Sequence, residues 1–385
     1  MESDLVWLLL GLPLAFVLGW GASRIDLRQL RAENRNVPKA YFKGLNFLLN
    51  EQQDQAIDAF IEAVQNDPDT SELHFALGNL FRRRGEYDRA VRVHEHLLSR
   101  GDLVKKDRER AQHALALDFL KAGLLDRAED ALAKLEGTPF EGQARLALLA
   151  IYERSRDWPQ AAAIAHKMHH ADQGDFGTRQ AHYLCEQAQE RVAGNDLEGA
   201  RALLEQAQTN APQAPRPHID LARLHQRMGQ PRAALSTLQT MIVQAPAALP
   251  LATALLVELA KACGQTVQIL DCLQQHYAAT PSLDVLDAIV ALTEDAGHPT
   301  SPGRQWYLRH LEIDPSLVAA AKWLAGERLE HEQYHPQVQR ALDHATQPLT
   351  RYRCAACGFE ARQHFWQCPG CQTWDSYPAR RVEEL

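Results

Sequence analysis

YFKGLNFLLNEQQDQAIDAFIEAVQNDP, residues 41–68, and FALGNLFRRRGEYDRAVRVHEHLLSRGD, residues 75–102, are two copies of one pattern. Gly44 and Gly78 lie 34 residues apart, and so do Phe47 and Phe81, Ala56 and Ala90, and Ala63 and Leu97. A fixed period of this size marks an array built from one supersecondary unit. The small residues belong where two helices of a unit cross, so that their backbones can approach. The larger apolar residues then fill the gaps between successive helices. Pro68 cannot continue a helix and marks its end, as do Pro212, Pro246 and Pro281 further on.

The pattern resembles the tetratricopeptide repeat, a helix–turn–helix of 34 residues. Later copies drift but keep the frame. Ala116, Phe119, Gly123 and Ala128 mark a third, and Leu149, Tyr152, Trp158 and Ala161 a fourth. Ala188, Ala200, Ala207 and Pro212 mark a fifth; Ala222, Gly229, Ala234 and Pro246 mark a sixth. Gly264, Ile269 and Pro281 mark a weaker seventh. Two more helix pairs are expected, 282–297 with 303–313 and 315–330 with 336–346. The expected fold is all-α, a tetratricopeptide-repeat superhelix (an α-solenoid) of seven to nine repeats over residues 38–347. Such arrays line a groove with the first helix of each repeat. By the repeat's register that groove receives Tyr41, Leu45 and Leu48, then Phe75, Asn79, Arg82 and Arg83, then Arg216, Arg223 and Arg227. Its arginines suit an acidic or carboxylate-bearing peptide, and a plainly solvated basic face is the competing reading.

Composition agrees with this. The chain of 385 residues is 45% hydrophobic and 23% charged, rich in helix formers and poor in aromatics. A net charge of −8 argues against nucleic acid as the partner. Cys185, Cys263 and Cys272 stand singly in helical stretches and read as small apolar residues.

The N-terminus carries LVWLLLGLPLAFVLGWGA, Leu5–Ala22, with no charge. Eighteen residues span about 27 Å of helix, close to the thickness of a hydrocarbon core. Glu2 and Asp4 precede it where a cleaved signal peptide needs positive charge. Arg24, Arg28, Arg31 and Arg35 follow it, which places the remainder of the chain in the cytoplasm. Residues 1–23 are therefore expected to form a transmembrane anchor and 24–37 a juxtamembrane linker.

The C-terminus carries YRCAACGFEARQHFWQCPGCQTW, residues 352–374. Cys354, Cys357, Cys368 and Cys371 form two C-x-x-C pairs with ten residues between them, the spacing of a tetrahedral thiolate site. Gly358, Pro369 and Gly370 favour the turns, and Tyr352, Phe359, Phe365, Trp366 and Trp374 supply apolar cover. Residues 348–385 are expected to be a rubredoxin-type or zinc-ribbon module holding one zinc or iron ion. Gln372 stands where a glycine often follows the second pair. HEQYH, His331–His335, matches the H-E-x-x-H of zinc proteases, but Pro336 disfavours helix at His335. No phosphate-binding or nucleophile-elbow motif appears.

This order of anchor, basic stretch, repeats and four-cysteine module resembles the lipopolysaccharide assembly protein B family of Gram-negative bacteria. The resemblance implies a non-enzymatic inner-membrane adaptor facing the cytosol. It further implies as partners the membrane protease FtsH, the deacetylase that commits precursors to lipid A, and an inner-membrane protein that senses lipopolysaccharide. It is compatible with self-association. A general scaffold for lipopolysaccharide assembly enzymes without proteolysis is the alternative, and a zinc metalloenzyme using HEQYH the remote one.

Overall fold

The structure is a computed structural model. It describes Trp20 and residues 42–66, 70–170, 176–295, 302–327 and 332–385. The expected membrane span, Trp20 apart, and the linker 24–37 lie outside the described residues, as do Tyr41, Pro68 and His331. The chain divides into two compact units, Met1–Arg154 and Ser155–Leu385.

In the first unit helix α1 (residues 42–49) precedes α2 (Gln53–Asn66), α3 (Ser71–Arg84), α4 (Tyr87–Ser99), α5 (Lys105–Ala122), α6 (Leu125–Ala133) and α7 (Glu141–Ser155). Ala56, Phe60, Leu73, Leu77, Phe81 and Ala90, all positions of the repeat pattern or their helical neighbours, form one buried cluster. The period has its physical cause at Gly78. A Cβ there would lie 2.5 Å from the imidazole of His94 on the partner helix, so only glycine lets α3 and α4 close to this distance.

His94 is fully buried and its Nδ1 lies 2.5 Å from Asp118 of α5, itself fully buried. Arg82 donates to the other oxygen of Asp118 at 2.9 Å and to the Ala114 carbonyl at 3.1 Å. One carboxylate thus ties both helices of one repeat to the first helix of the next. This removes Arg82 from the expected groove face: it is committed to Asp118 and Asn79. Phe75 also leaves that face. It is 1% exposed, packed with Leu97, Leu103 and Ala111, with the Arg110 guanidinium 4.0 Å from its ring centroid.

The second unit opens with α8 (Trp158–His170), then α9 (Gly177–Ala193) and α10 (Leu197–Asn210), α11 (Pro215–Arg227) and α12 (Pro231–Gln244). Ala188 and Ala222, and Ala200 and Ala234, are each 34 residues apart in sequence and all buried. A 3-10 segment, Pro246–Ala252, leads into α13 (Thr253–Cys263), followed by α14 (Thr266–Ala279). The stretch Pro246–Cys263 is apolar and long enough to cross a membrane. Its Leu249, Ala252, Leu256, Leu259 and Ala260 instead fill the largest core of this unit, so it serves as a repeat helix.

Two last helix pairs follow, α15 (Leu283–Asp295) with α16 (Pro302–Ile313), and α17 (Leu317–Ala325) with α18 (His335–Thr346); α17 ends at Ala325, short of the expected 330. HEQYH does not lie on one helix within the described residues. Glu332–Tyr334 is a separate 3-10 turn and His335 opens α18, with Pro336 in its first turn. Cys185 is fully buried, whereas Cys263 and Cys272 are half-buried. Burial, then the charge of Asp220, pushes the Cys185 thiol well above its ordinary range, which suits an inert core residue.

Candidate metal centre

Residues 352–377 fold as two knuckles, each at the tip of a short antiparallel pairing. Strands β1 (Tyr352–Arg353) and β2 (Glu360–Ala361) flank the first, and a Gln367–Trp374 bridge flanks the second. The two knuckles share one hydrogen-bond pattern. In the first, Cys354 N–H donates to Phe359 O at 2.9 Å and Gly358 N–H to Cys354 O at 2.9 Å. In the second, Cys368 N–H donates to Thr373 O at 3.0 Å and Gln372 N–H to Cys368 O at 2.8 Å. The turn requires the left-handed region after each pair. Gly358 takes φ of 78° and Gln372 takes φ of 60°. Gln372 therefore adopts the conformation of the glycine it replaces, at a cost of about 1–2 kcal/mol.

The knuckles bring the four cysteine sulfurs within 4.8 Å of one another. Cys354 and Cys371 are 3.8 Å apart and Cys357 and Cys368 3.7 Å. The edge of a thiolate tetrahedron with metal–sulfur bonds of about 2.3 Å is about 3.8 Å, so the donor set fits one metal ion. Its surroundings favour thiolates at two positions, whereas at Cys357 the Phe359 backbone is outweighed by burial and the three neighbouring sulfurs, which push the thiol up. Burial opposes ionisation of Cys354, but its hydrogen bond with Ser376 and those with the backbone of Cys357 and Ala356 outweigh it and bring the thiol down to about 6. The Thr373 hydroxyl and backbone lower Cys371 in the same way. Gly370 N–H points at Cys368 Sγ from 3.4 Å. Cys354 and Cys368 are buried, and Cys357 and Cys371 face outward.

The module is bound onto the repeats of its own unit. Trp374, which the sequence suggests as cover for the module, leaves it instead. Its ring stacks on His182 of α9 at 4.8 Å between centroids and meets Trp158 and Tyr183 edge-on. The neighbouring Asp375 holds His182 Nε2 with both oxygens, at 2.8 and 2.9 Å. Trp366 packs on the large core, and Leu251 of the 3-10 segment enters the cluster of Tyr352, Cys354, Cys368 and Tyr377. Phe359 remains exposed.

The chain's end closes the joint. Arg381 makes a bidentate pair with Asp284 of α15 at 2.8 Å, and its guanidinium lies 4.1 Å from the centroid of the Tyr352 ring. Burial, then the charge of Asp284, raises the Tyr352 phenol and keeps it neutral. Glu383 caps the N-terminus of α17, accepting from Leu317 N–H at 2.6 Å, Val318 N–H at 3.1 Å and Ser316 Oγ at 2.8 Å. Glu384 accepts from Leu283 N–H at the start of α15 at 2.7 Å. Carboxylates at helix N-termini satisfy open N–H groups and the helix dipole.

Of the arginines expected in a groove, Arg216 is 2% exposed and held by Glu186 at 2.6 Å and Asp220 at 3.3 Å, with Trp374 beside it. It is part of the interior and cannot receive a partner as placed. Arg83, Arg223 and Arg227 are exposed. Three of the five are thus exposed and two are held by carboxylates of neighbouring helices. His182, Asp375, Arg381, Glu383 and Glu384 escape a reading of the sequence, because their partners lie 65 to 193 positions away.

Repeat hairpins that carry a four-cysteine knuckle module clasped to their own surface define a tetratricopeptide-repeat protein with a rubredoxin-type centre. Two tetratricopeptide repeat families match residues 73–109 and 191–259, and the rubredoxin metal binding domain family matches residues 352–377. Lipopolysaccharide assembly protein B of Escherichia coli (strain K12) is 30% identical, covering 99% of this chain and all of that one. Its namesake from Haemophilus influenzae is 28% identical over 97% of both chains. The chain belongs to the lipopolysaccharide assembly protein B family. Among solved structures, a tetratricopeptide repeat protein from Parabacteroides merdae is 14% identical over 66% of this chain and 98% of that one, with a TM-score of 0.34.

Proposed function

We propose that the chain is an inner-membrane adaptor in lipopolysaccharide assembly. It holds the deacetylase that commits precursors to lipid A beside the protease FtsH, under the control of an inner-membrane lipopolysaccharide sensor. The observation that carries this reading is end-to-end likeness to relatives of one name, across repeats and module alike. The uncharged segment Leu5–Ala22 supports an anchor, and the arginines behind it support a cytoplasmic location for the bulk of the chain. The work is done by proximity: anchor and repeats raise the effective concentration of a client next to the protease.

Cys354, Cys357, Cys368 and Cys371 would hold the metal, zinc or iron. A bound metal would supply cross-linking and charge neutralisation for four thiolates. The chain's own residues do the rest. Trp374 and Asp375 engage α9, and Arg381, Glu383 and Glu384 engage α15 and α17. The module is a clip that keeps the C-terminal repeats in one geometry.

Depletion of the chain is expected to lengthen the half-life of the deacetylase several-fold, read by pulse-chase immunoblotting. An unchanged half-life would refute the proteolytic adaptor and leave a scaffold for assembly enzymes.

A further inference from the structure

Each sulfur of the four-cysteine centre has a close neighbour on the other knuckle. Cys354 Sγ lies 3.8 Å from Cys371 Sγ, and Cys357 Sγ lies 3.7 Å from Cys368 Sγ. Each contact joins a buried sulfur to one that faces outward, because Cys354 and Cys368 are buried and Cys357 and Cys371 are exposed. Protein bonds set this register as well. Ala355 N–H, inside the first pair, donates to Ser376 O at 2.7 Å, and Tyr377 Oη donates to Phe359 O at 3.1 Å. The first knuckle is thus held against the segment that follows the second.

We propose that this centre is redox-exchangeable. Hydrogen peroxide converts it into two disulfides that cross between the knuckles, Cys354–Cys371 and Cys357–Cys368, and these replace the metal as the tie within the module. Oxidation starts at the sulfurs that the oxidant can reach, so the thiolates of Cys357 and Cys371 attack the peroxide. Each forms a sulfenic acid and releases hydroxide. The buried partner then attacks that sulfur, the S–S bond forms and a second hydroxide leaves. Four protons from solvent turn the hydroxides into water. Over the whole centre four thiolates lose four electrons, two peroxides gain four, and a zinc ion leaves with its oxidation state unchanged. Pairing within each C-x-x-C would leave no covalent tie between the knuckles. Pairing across them keeps the joint closed, so that Trp374 and Asp375 stay directed at α9. That last step rests on the clip reading; the pairing does not.

Trypsin cuts after Arg353, Arg362 and Arg380, so Cys354 and Cys357 leave in peptide 354–362 and Cys368 and Cys371 in peptide 363–380. Crossed disulfides join these two peptides, whereas disulfides within each pair leave them separate. The zinc-loaded full chain in detergent micelles is treated with hydrogen peroxide, free thiols are blocked, and the digest is read by mass spectrometry without reduction. The expected result is release of one zinc ion per chain, measured with a chromophoric chelator, and a joined peptide four hydrogen masses below the sum of the two. Dithiothreitol with added zinc should restore one ion per chain. Hydrogen exchange reads the clip: α9 should keep its protection after oxidation and lose it after chelation of the reduced chain. The proposal is overturned by separate peptides, by zinc retained under peroxide, by sulfinic or sulfonic acids in place of disulfides, or by zinc that does not rebind after reduction. Joined peptides with α9 unprotected would overturn it too. If α9 stays protected even after chelation, the crossed pairing stands and the clip reading fails.

Discussion

Replacing Cys354 with serine is expected to empty the metal site, unfold residues 352–377 and detach them from the C-terminal repeats. The module has little core of its own: Tyr352, Cys354, Cys368 and Tyr377 are its buried cluster, completed by Leu251 from the repeats. For modules of this size the metal supplies most of the folding free energy, on the order of 10–16 kcal/mol in zinc-finger peptides. A lost thiolate removes a large part of that. The knuckles also aim Trp374, because the second one fixes the Gln367–Trp374 bridge. Metal analysis should fall from one ion per chain to none, and proteases should cut within 352–377 while the helices remain. Cys263→Ser, at a half-buried cysteine outside the site, should change neither. A Cys354→Ser protein that keeps its C-terminal segment protected would mean that the repeats hold the module without metal.

Asp118→Ala is expected to destabilise the first unit by about 3–5 kcal/mol, the usual result of removing one partner from a buried charge cluster. It would leave Arg82 with only the Ala114 carbonyl and Asn79, and would strand His94, which is fully buried with its Nε2 already unpartnered. His94 is wedged against Gly78, so its ring has little room to turn toward another acceptor. Asp118→Asn keeps an acceptor for one of the two donors and should cost less. Native-state hydrogen exchange on the amides of α4 and α5 measures the difference. Opening free energies unchanged by Asp118→Ala would show that the cluster is not what ties these repeats together.

The repeats were legible because their constraint is local. A 34-residue period of small residues follows from helix pairs that must approach closely, and Gly78 against His94 is that constraint in atoms. The metal site was legible for the same reason: each C-x-x-C pair is a self-contained knuckle, and Gln372 adopts the glycine conformation that its position demands. The groove register was not. Arg82 and Arg216 share the spacing of exposed arginines, but what decides their fate is a carboxylate on another helix, Asp118 for one and Glu186 for the other. Nor could the clasp be read. His182 and Asp375 are 193 positions apart, and a short acidic tail such as that around Glu383 and Glu384 looks in sequence like any solvated end.

As a clip, the four-cysteine module should hold the C-terminal repeats in place. Hydrogen exchange on the full chain, with the metal present and after its removal by a chelator, tests it most directly. Leu283, Leu317 and Val318 are the reporters, because their amides donate to Glu384 and Glu383 of the clasp. Faster exchange is expected at these amides and in α9 as well as in 352–377, with α3–α5 of the first unit unchanged. Loss of protection confined to 352–377 would contradict it.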